Sequence, residues 1–161
     1  MFDIREERTV NTQLERLAAE VGLSDGSMEH KRLAFACACV DRIAHLLEEP
    51  EVLDCLAVLH GYLGGTSDQP ALSQARVEAA RLANQHRGSK SIDGCGHAAV
   101  SATYAVANAL AGKALEAASY AAYASVYVAG GYAAVADRDA FAQEFAWQVE
   151  TLRRLCEEAS V

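Results

Sequence analysis

Two pairs of side chains in this sequence have types and spacings that suit chemistry, and the first is Asp41 with His45. They are four residues apart in a stretch with helical periodicity, which predicts that both lie on one helix face within reach of a single metal ion. A catalytic zinc needs at least one further protein ligand, which the sequence does not assign. An exposed Asp–His pair is therefore the preferred interpretation, a metal site is the alternative, and no cofactor is expected.

The second pair is Cys95 and His97, at the start of an alanine-rich segment. A thiol near a helix N-terminus is acidified by the helix dipole, and a nearby histidine is able to take its proton. Catalytic cysteine and histidine residues are placed by tertiary geometry, however, and this spacing matches no known signature. We prefer the alternative that Gly94 and Gly96 allow close helix packing and that Cys95 is a small buried residue, so no catalytic residue is assigned.

A third candidate is Trp147 in the last predicted helix, residues 137–158. At about 100° per residue it falls opposite the apolar stripe of that helix. The surrounding side chains are charged and include Glu144, Glu150 and Arg154. A tryptophan with a charged rim is typical of an anchor for a protein partner, and the alternative is that another element, such as the N-terminal helix, covers it.

The elements that must position these residues are predicted to be helices. The chain has 161 residues and only two prolines, and its apolar residues recur with the helical period. We expect one all-α domain over residues 1–161, a bundle of about seven helices with a central alanine-rich pair and with the helix before residue 24 at its periphery. The predicted helices cover residues 11–21, 28–48, 51–63, 71–86, 92–110, 113–129 and 137–158.

The sixth predicted helix belongs to an uncharged run, residues 119–136, that approaches the length of a membrane span. Its alanine, serine, glycine and tyrosine residues add little insertion energy, and Gly130-Gly131 interrupts it, so burial inside the bundle is predicted. Tyr120, Tyr123 and Tyr127 share one face of this helix. Packing into the core is the preferred role for these rings, and a binding strip is the alternative.

Composition limits the class of partner and the compartment. With 22 acidic and 14 basic residues the net charge is −8, which argues against nucleic-acid binding, and an acidic surface of this kind is able to steer a basic partner. Five cysteines without a CxxC pair suit reduced thiols in the cytoplasm. The mixed-charge N-terminus does not resemble a signal peptide, so a cytoplasmic location is expected.

Three segments have a distinctive texture: residues 30–43 carry Arg32-Leu33 before an alanine- and cysteine-containing helix, residues 72–86 include Ala75-Arg76, and Gly96-His97-Ala98-Ala99 opens the alanine-rich pair. They resemble bacterial immunity proteins of the Imm-5 type, which are predicted to protect cells against polymorphic toxins: residues 30–43 are similar to that family's opening helix, and residues 72–86 to its alanine- and arginine-rich middle. The strongest likeness is Gly96-His97-Ala98-Ala99 with the alanine-rich helices after it, and the resemblance spans residues 29–128. It implies a protein that binds and neutralises a toxin by occluding its active surface. Two alternatives stay open: a small enzyme or small-molecule binder that uses Cys95 and His97, and a helical homodimer.

Overall fold

Seven α-helices and three short 3-10 turns make up the part of the chain that this computed structural model describes, residues 9–85 and 95–158, and no strand forms within these ranges. The all-α, single-domain prediction is therefore confirmed. The helices are α1 (Thr12–Val21), α2 (Glu29–Asp41), α3 (Pro50–Gly64), α4 (Gln69–Gln85), α5 (Cys95–Leu110), α6 (Ala114–Ala136) and α7 (Ala142–Glu157), and the 3-10 turns are Gly26–Met28, Ala44–Leu46 and Arg138–Phe141.

The alanine-rich pair, α5 and α6, lies at the centre and forms the most extensive helix–helix contact in the bundle. Small side chains let two helix backbones approach closely, and the alanines of this interface are almost completely buried. The connecting turn contains Gly112 at φ +76°, a left-handed conformation that glycine adopts without strain. The buried interface alanines are Ala102, Ala105, Ala109, Ala117, Ala121 and Ala124.

The second helix ends earlier than predicted. It stops at Asp41, and Ile43 leaves the helical region at φ −120°, ψ 11° before the 3-10 turn Ala44–Leu46. Ile43 and Leu47 are both buried, so the changed path after Asp41 still directs two apolar side chains into the core. The prediction of one helix over residues 28–48 is therefore wrong beyond Asp41, because tertiary packing overrides the local periodicity.

The sixth helix runs to Ala136, with a kink at Gly131, where φ is +64° and ψ is −150°. This kink coincides with the predicted break at Gly130-Gly131. None of the helices in the described ranges is both long enough and apolar enough to cross a membrane. Beyond α6, Phe141 is fully buried and packs with Ala122 and Val126 in a small second core.

The first helix is attached to the bundle through Asn11. The Asn11 side chain accepts a hydrogen bond from the Leu14 backbone N–H and so caps α1, and its Nδ2 donates to the Phe145 carbonyl and to Gln148 Oε1 on α7. Gln148 is 2% exposed and donates from Nε2 to the Ala118 carbonyl on α6 at 2.8 Å. One chain of hydrogen bonds therefore joins α1, α7 and α6.

Candidate functional sites

Cys37, Asp41 and His60 form a cluster where the last turn of α2 meets α3. Cys37 and Asp41 are four residues apart and so share one face of α2, and His60 comes from the facing helix. His60 Nε2 lies 2.7 Å from Asp41 Oδ1, and Cys37 Sγ lies 3.6 Å from Nε2 and 3.9 Å from Asp41 Oδ2. Within the described ranges, these three are the one group whose donor atoms are arranged closely enough to hold a metal ion.

Burial decides what the Cys37 thiol is able to do. Cys37 is 3% exposed, and desolvation together with the nearby Asp41 carboxylate raises its pKa to about 12. Burial also raises the pKa of the neighbouring Cys39 thiol. A thiol, an imidazole and a carboxylate that contact one another resemble a catalytic cysteine with its base. A sulfur that is protonated and buried is nevertheless a poor nucleophile.

The predicted partner of Asp41 was His45, and the structure does not place them on one helical face. Asp41 is the last residue of α2, whereas His45 is an exposed residue in the following 3-10 turn. Asp41 contacts His60 instead. Sequence reasoning missed His60 because it is 23 residues from Cys37, and only the packing of α3 on α2 brings them together.

The region around Trp147 is organised by Arg42, at the C-terminal end of α2. The Arg42 guanidinium makes two hydrogen bonds to the Glu144 carboxylate, at 2.8 and 3.0 Å, and lies 4.5 Å from the centre of the Trp147 ring. Trp147 is partly buried and also packs against the main core. Glu150 pairs with Arg153. Glu144 and Glu150, two acidic residues of the predicted partner anchor, are thus already paired with arginines of this chain.

Arg154, the other charged residue predicted beside Trp147, is exposed in the last turn of α7. Together with Trp147, Glu144 and Glu150 it stays a predicted contact for a partner.

The Cys95 and His97 pair lies at the start of α5. Cys95 is the first residue of that helix, and its side chain lies outside the described part of the structure, as does Gly94. His97 is exposed, and its ring stacks on Tyr127 of α6 with ring centres 5.5 Å apart. The catalytic hypothesis for this pair stays a prediction.

The three tyrosines of α6 are half-buried and make ring contacts within the bundle. Tyr120 stacks on Tyr104, and Tyr123 packs edge-on against Phe141 while its hydroxyl accepts a hydrogen bond from the Thr9 backbone N–H. Tyr127 contacts both Tyr123 and His97. These contacts favour the packing role for the three rings.

An open groove between α3 and α4 is a feature that the sequence did not single out, and we call it the acidic groove. It has a volume of about 690 Å³. Val77 in its wall is 72% exposed, the highest value among the large apolar side chains of the described residues. Its lining residues are Glu51, Asp54, Cys55 and Val58 of α3 and Ala71, Gln74, Ala75, Val77 and Glu78 of α4.

The charge of the acidic groove comes from an unusual stretch of sequence. Residues 43–75 include five acidic residues and no lysine or arginine. Glu51 and Asp54 form no ion pair with another described residue, whereas Glu78 is paired with Arg81 on the same helix. The groove therefore combines apolar side chains with the carboxylates of Glu51 and Asp54, and the Arg81 guanidinium is close enough to interact electrostatically with Glu51. The lack of lysine and arginine over residues 43–75 is the sequence feature that could have indicated the acidic groove.

No family model matches this chain, and no curated protein or solved structure matches it significantly. The assignment of function therefore depends on the residues and their geometry.

Proposed function

We propose that this protein is a cytoplasmic immunity protein that binds a basic toxin domain in the acidic groove and neutralises it by occluding its active surface. The resemblance described above suggests the class of partner. The single observation that carries the proposal is the acidic groove itself, in which the exposed Val77 lies beside the carboxylates of Glu51 and Asp54.

This combination suits a basic protein surface for two physical reasons. Covering the apolar surface of the groove is favourable in free energy, and the carboxylates of Glu51 and Asp54 attract a cationic partner and accelerate its association. Both walls of the groove are helices, so the binding surface is already ordered before the partner arrives, which lowers the entropic cost of binding.

A second copy of this chain is a poorer occupant of the acidic groove. Two such grooves placed face to face would bring Glu51 and Asp54 of one copy close to the same carboxylates of the other. Like charges across an interface cost several kcal/mol, so charge complementarity favours a basic partner over a homodimer through this face.

The surface around Trp147 is the alternative docking site. Glu144 there is already hydrogen bonded to Arg42, and the Trp147 ring is covered on one face by the same guanidinium. A partner would have to compete with these internal contacts, whereas Glu51 and Asp54 in the acidic groove have no internal ion pair to lose.

The experiment first tests whether a gene adjacent to this one encodes a basic toxin domain, and then measures binding of that domain by isothermal titration calorimetry; the absence of such a gene counts against the proposal. We expect Val77→Lys to weaken binding by at least about 30-fold, the loss found for residues at the centre of an interface, because it removes apolar contact and repels a basic partner. The matched control is Val128→Lys, which also adds a positive charge at an exposed valine but lies on α6. Val128→Lys should bind as the wild type does.

A charge test separates the acidic groove from the Trp147 surface. The double variant Glu51→Lys/Asp54→Lys should weaken binding and remove most of its salt dependence, because the attraction at the groove is reversed. The control reverses two exposed acids elsewhere, Glu20 and Asp139. A loss of affinity in Trp147→Ala with unchanged affinity in the groove variants would move the docking site to α7 and contradict the proposal.

A further inference from the structure

The cluster of Cys37, Asp41 and His60 is not used by the proposed partner site, and its chemistry is of another kind. Its three donor atoms are a sulfur, an imidazole nitrogen and a carboxylate oxygen, and each of these donor types binds Zn²⁺ in proteins. Two of the ligands are four residues apart on one helix, the spacing that places both on the same side of an ion, and the third comes from a neighbouring helix.

We propose that Cys37, Asp41 and His60 form a Zn²⁺ site with three protein ligands and one position open to water. The His60 and Asp41 side chains are 51% and 44% exposed, which leaves the solvent side of the cluster free for the fourth ligand, while Cys37 closes the inner side. A site with an open fourth position is the arrangement of zinc ions that take part in chemistry or sense an exchangeable ligand.

Only the sulfur–nitrogen distance is already close to that of a tetrahedral zinc site, and the Asp41 carboxylate and the His60 ring must both adjust to complete it. With zinc–sulfur and zinc–nitrogen bonds of about 2.3 and 2.0–2.1 Å, the sulfur and nitrogen ligands of one ion lie about 3.5 Å apart. Cys37 Sγ and His60 Nε2 are 3.6 Å apart, and Cys37 Sγ and Asp41 Oδ2 are 3.9 Å apart. The third separation, 2.7 Å between His60 Nε2 and Asp41 Oδ1, is that of a hydrogen bond and must lengthen when an ion replaces the shared proton.

Binding also requires the His60 ring to turn. Cys37 Sγ lies 3.7 Å from Nδ1 and 3.6 Å from Nε2, and this near-equality places the sulfur over the face of the imidazole, whereas a metal binds in the ring plane. Because the His60 side chain is half exposed, rotation about its side-chain bonds meets little steric resistance. Zinc binding then exchanges the thiol proton for the metal: the sulfur–hydrogen bond breaks, a sulfur–zinc bond forms, and that proton passes to solvent. The proton that His60 Nε2 shares with Asp41 is exchanged through solvent for one on Nδ1, so that Nε2 is free to bind the ion.

The test titrates the purified metal-free chain with ZnCl₂ by calorimetry and with Co²⁺ by absorption spectroscopy. Cobalt in the site should give a thiolate-to-metal charge-transfer band and the intense visible bands of tetrahedral coordination. His60→Gln and Asp41→Asn alter half-exposed side chains and so should fold. Each should weaken zinc binding by at least about tenfold, since even residues that only support metal ligands contribute that much. Cys37→Ser should abolish the charge-transfer band.

The matched controls are His45→Gln and Cys156→Ser, which remove an exposed histidine and a thiol from outside the cluster. Both should bind zinc and cobalt as the wild type does. Zinc should also raise the melting temperature of the wild type but not that of His60→Gln, because an ion that links α2 to α3 binds only the folded chain. The proposal is overturned if the wild type gives no tetrahedral cobalt spectrum, or if His60→Gln and Asp41→Asn bind zinc with unchanged affinity.

Discussion

Arg42 contacts Glu144 and Trp147 of α7, and the geometry of these contacts sets how much unfolding free energy the protein should lose when Arg42 is replaced. Arg42→Ala removes two hydrogen bonds to the Glu144 carboxylate and a cation–π contact with the Trp147 ring. The Arg42 and Glu144 side chains are 35% and 15% exposed, so solvent screens the pair in part and about 0.5–1 kcal/mol is a fair value for it. The contact with the Trp147 ring adds about 0.5–1 kcal/mol.

The expected loss for Arg42→Ala is therefore about 1–2 kcal/mol of unfolding free energy. For a chain of this length, that loss lowers the melting temperature by about 2–8 °C. Urea unfolding followed by circular dichroism measures the free energy, and a thermal scan measures the melting temperature. Arg42→Lys keeps the positive charge but loses the planar guanidinium that makes both hydrogen bonds. Its unfolding free energy should therefore lie between those of Arg42→Ala and the wild type.

The matched control is Arg153→Ala, which removes a 3.3 Å pair with Glu150 between two exposed side chains of one helix. Arg153→Ala should lower the unfolding free energy by less than about 0.5 kcal/mol. A double-mutant cycle with Arg42→Ala and Glu144→Gln should give a coupling energy of about 0.5–1 kcal/mol. The reasoning is refuted if Arg42→Ala costs no more than Arg153→Ala, or if the coupling energy is zero.

Three further predictions concern stability and are checked by urea unfolding. Asn11→Ala should cost about 1–2 kcal/mol, because Asn11 caps α1 and also bonds to α7; an unchanged free energy would show that α1 is not held through this residue. Ala105→Leu should cost about 1–3 kcal/mol, because Ala105 is 0% exposed in the α5–α6 interface, and a neutral result would contradict the close packing of that pair. Gly131→Ala should cost about 1–3 kcal/mol of unfolding free energy, because φ is +64° at this position. The control, Gly64→Ala, adds a methyl group to a helix where the space around it is free, so it should be neutral or stabilising. Equal effects of the two substitutions would argue against the kink at Gly131.

Much of the fold could be predicted because its signals are local. Pro50 occupies the first turn of α3 and Gly65 caps its end in a left-handed conformation, so both ends of that helix are marked in the sequence. The alanine-rich pair was predictable for a similar reason, since long runs of small residues with high helix propensity have few other uses than close helix packing.

The end of α2 was not predictable in this way. The residues after Asp41 continue the apolar period, and none of residues 42–48 is a glycine or a proline. The helix ends because Ile43 and Leu47 are buried more effectively along another path, which depends on helices that come later in the chain.

The candidate sites depended on packing between distant segments. The sequence paired Asp41 with His45 on one helix, whereas in the structure Asp41 contacts His60 of α3. Its own helix placed Trp147 opposite the apolar stripe and left open whether another element covers it, and the side chain that lies over its ring is Arg42, at the end of a different helix. A helical wheel describes one element, whereas burial depends on all the elements that pack against it.

The most direct test of the central claim is a growth assay in which a toxin domain encoded beside this gene is expressed together with the protein. The wild type and Val128→Lys should restore growth, and Val77→Lys and Glu51→Lys/Asp54→Lys should fail to do so at equal expression, because the acidic groove no longer holds the toxin. Growth inhibition that persists with the wild-type protein, or full protection by the groove variants, would contradict the account.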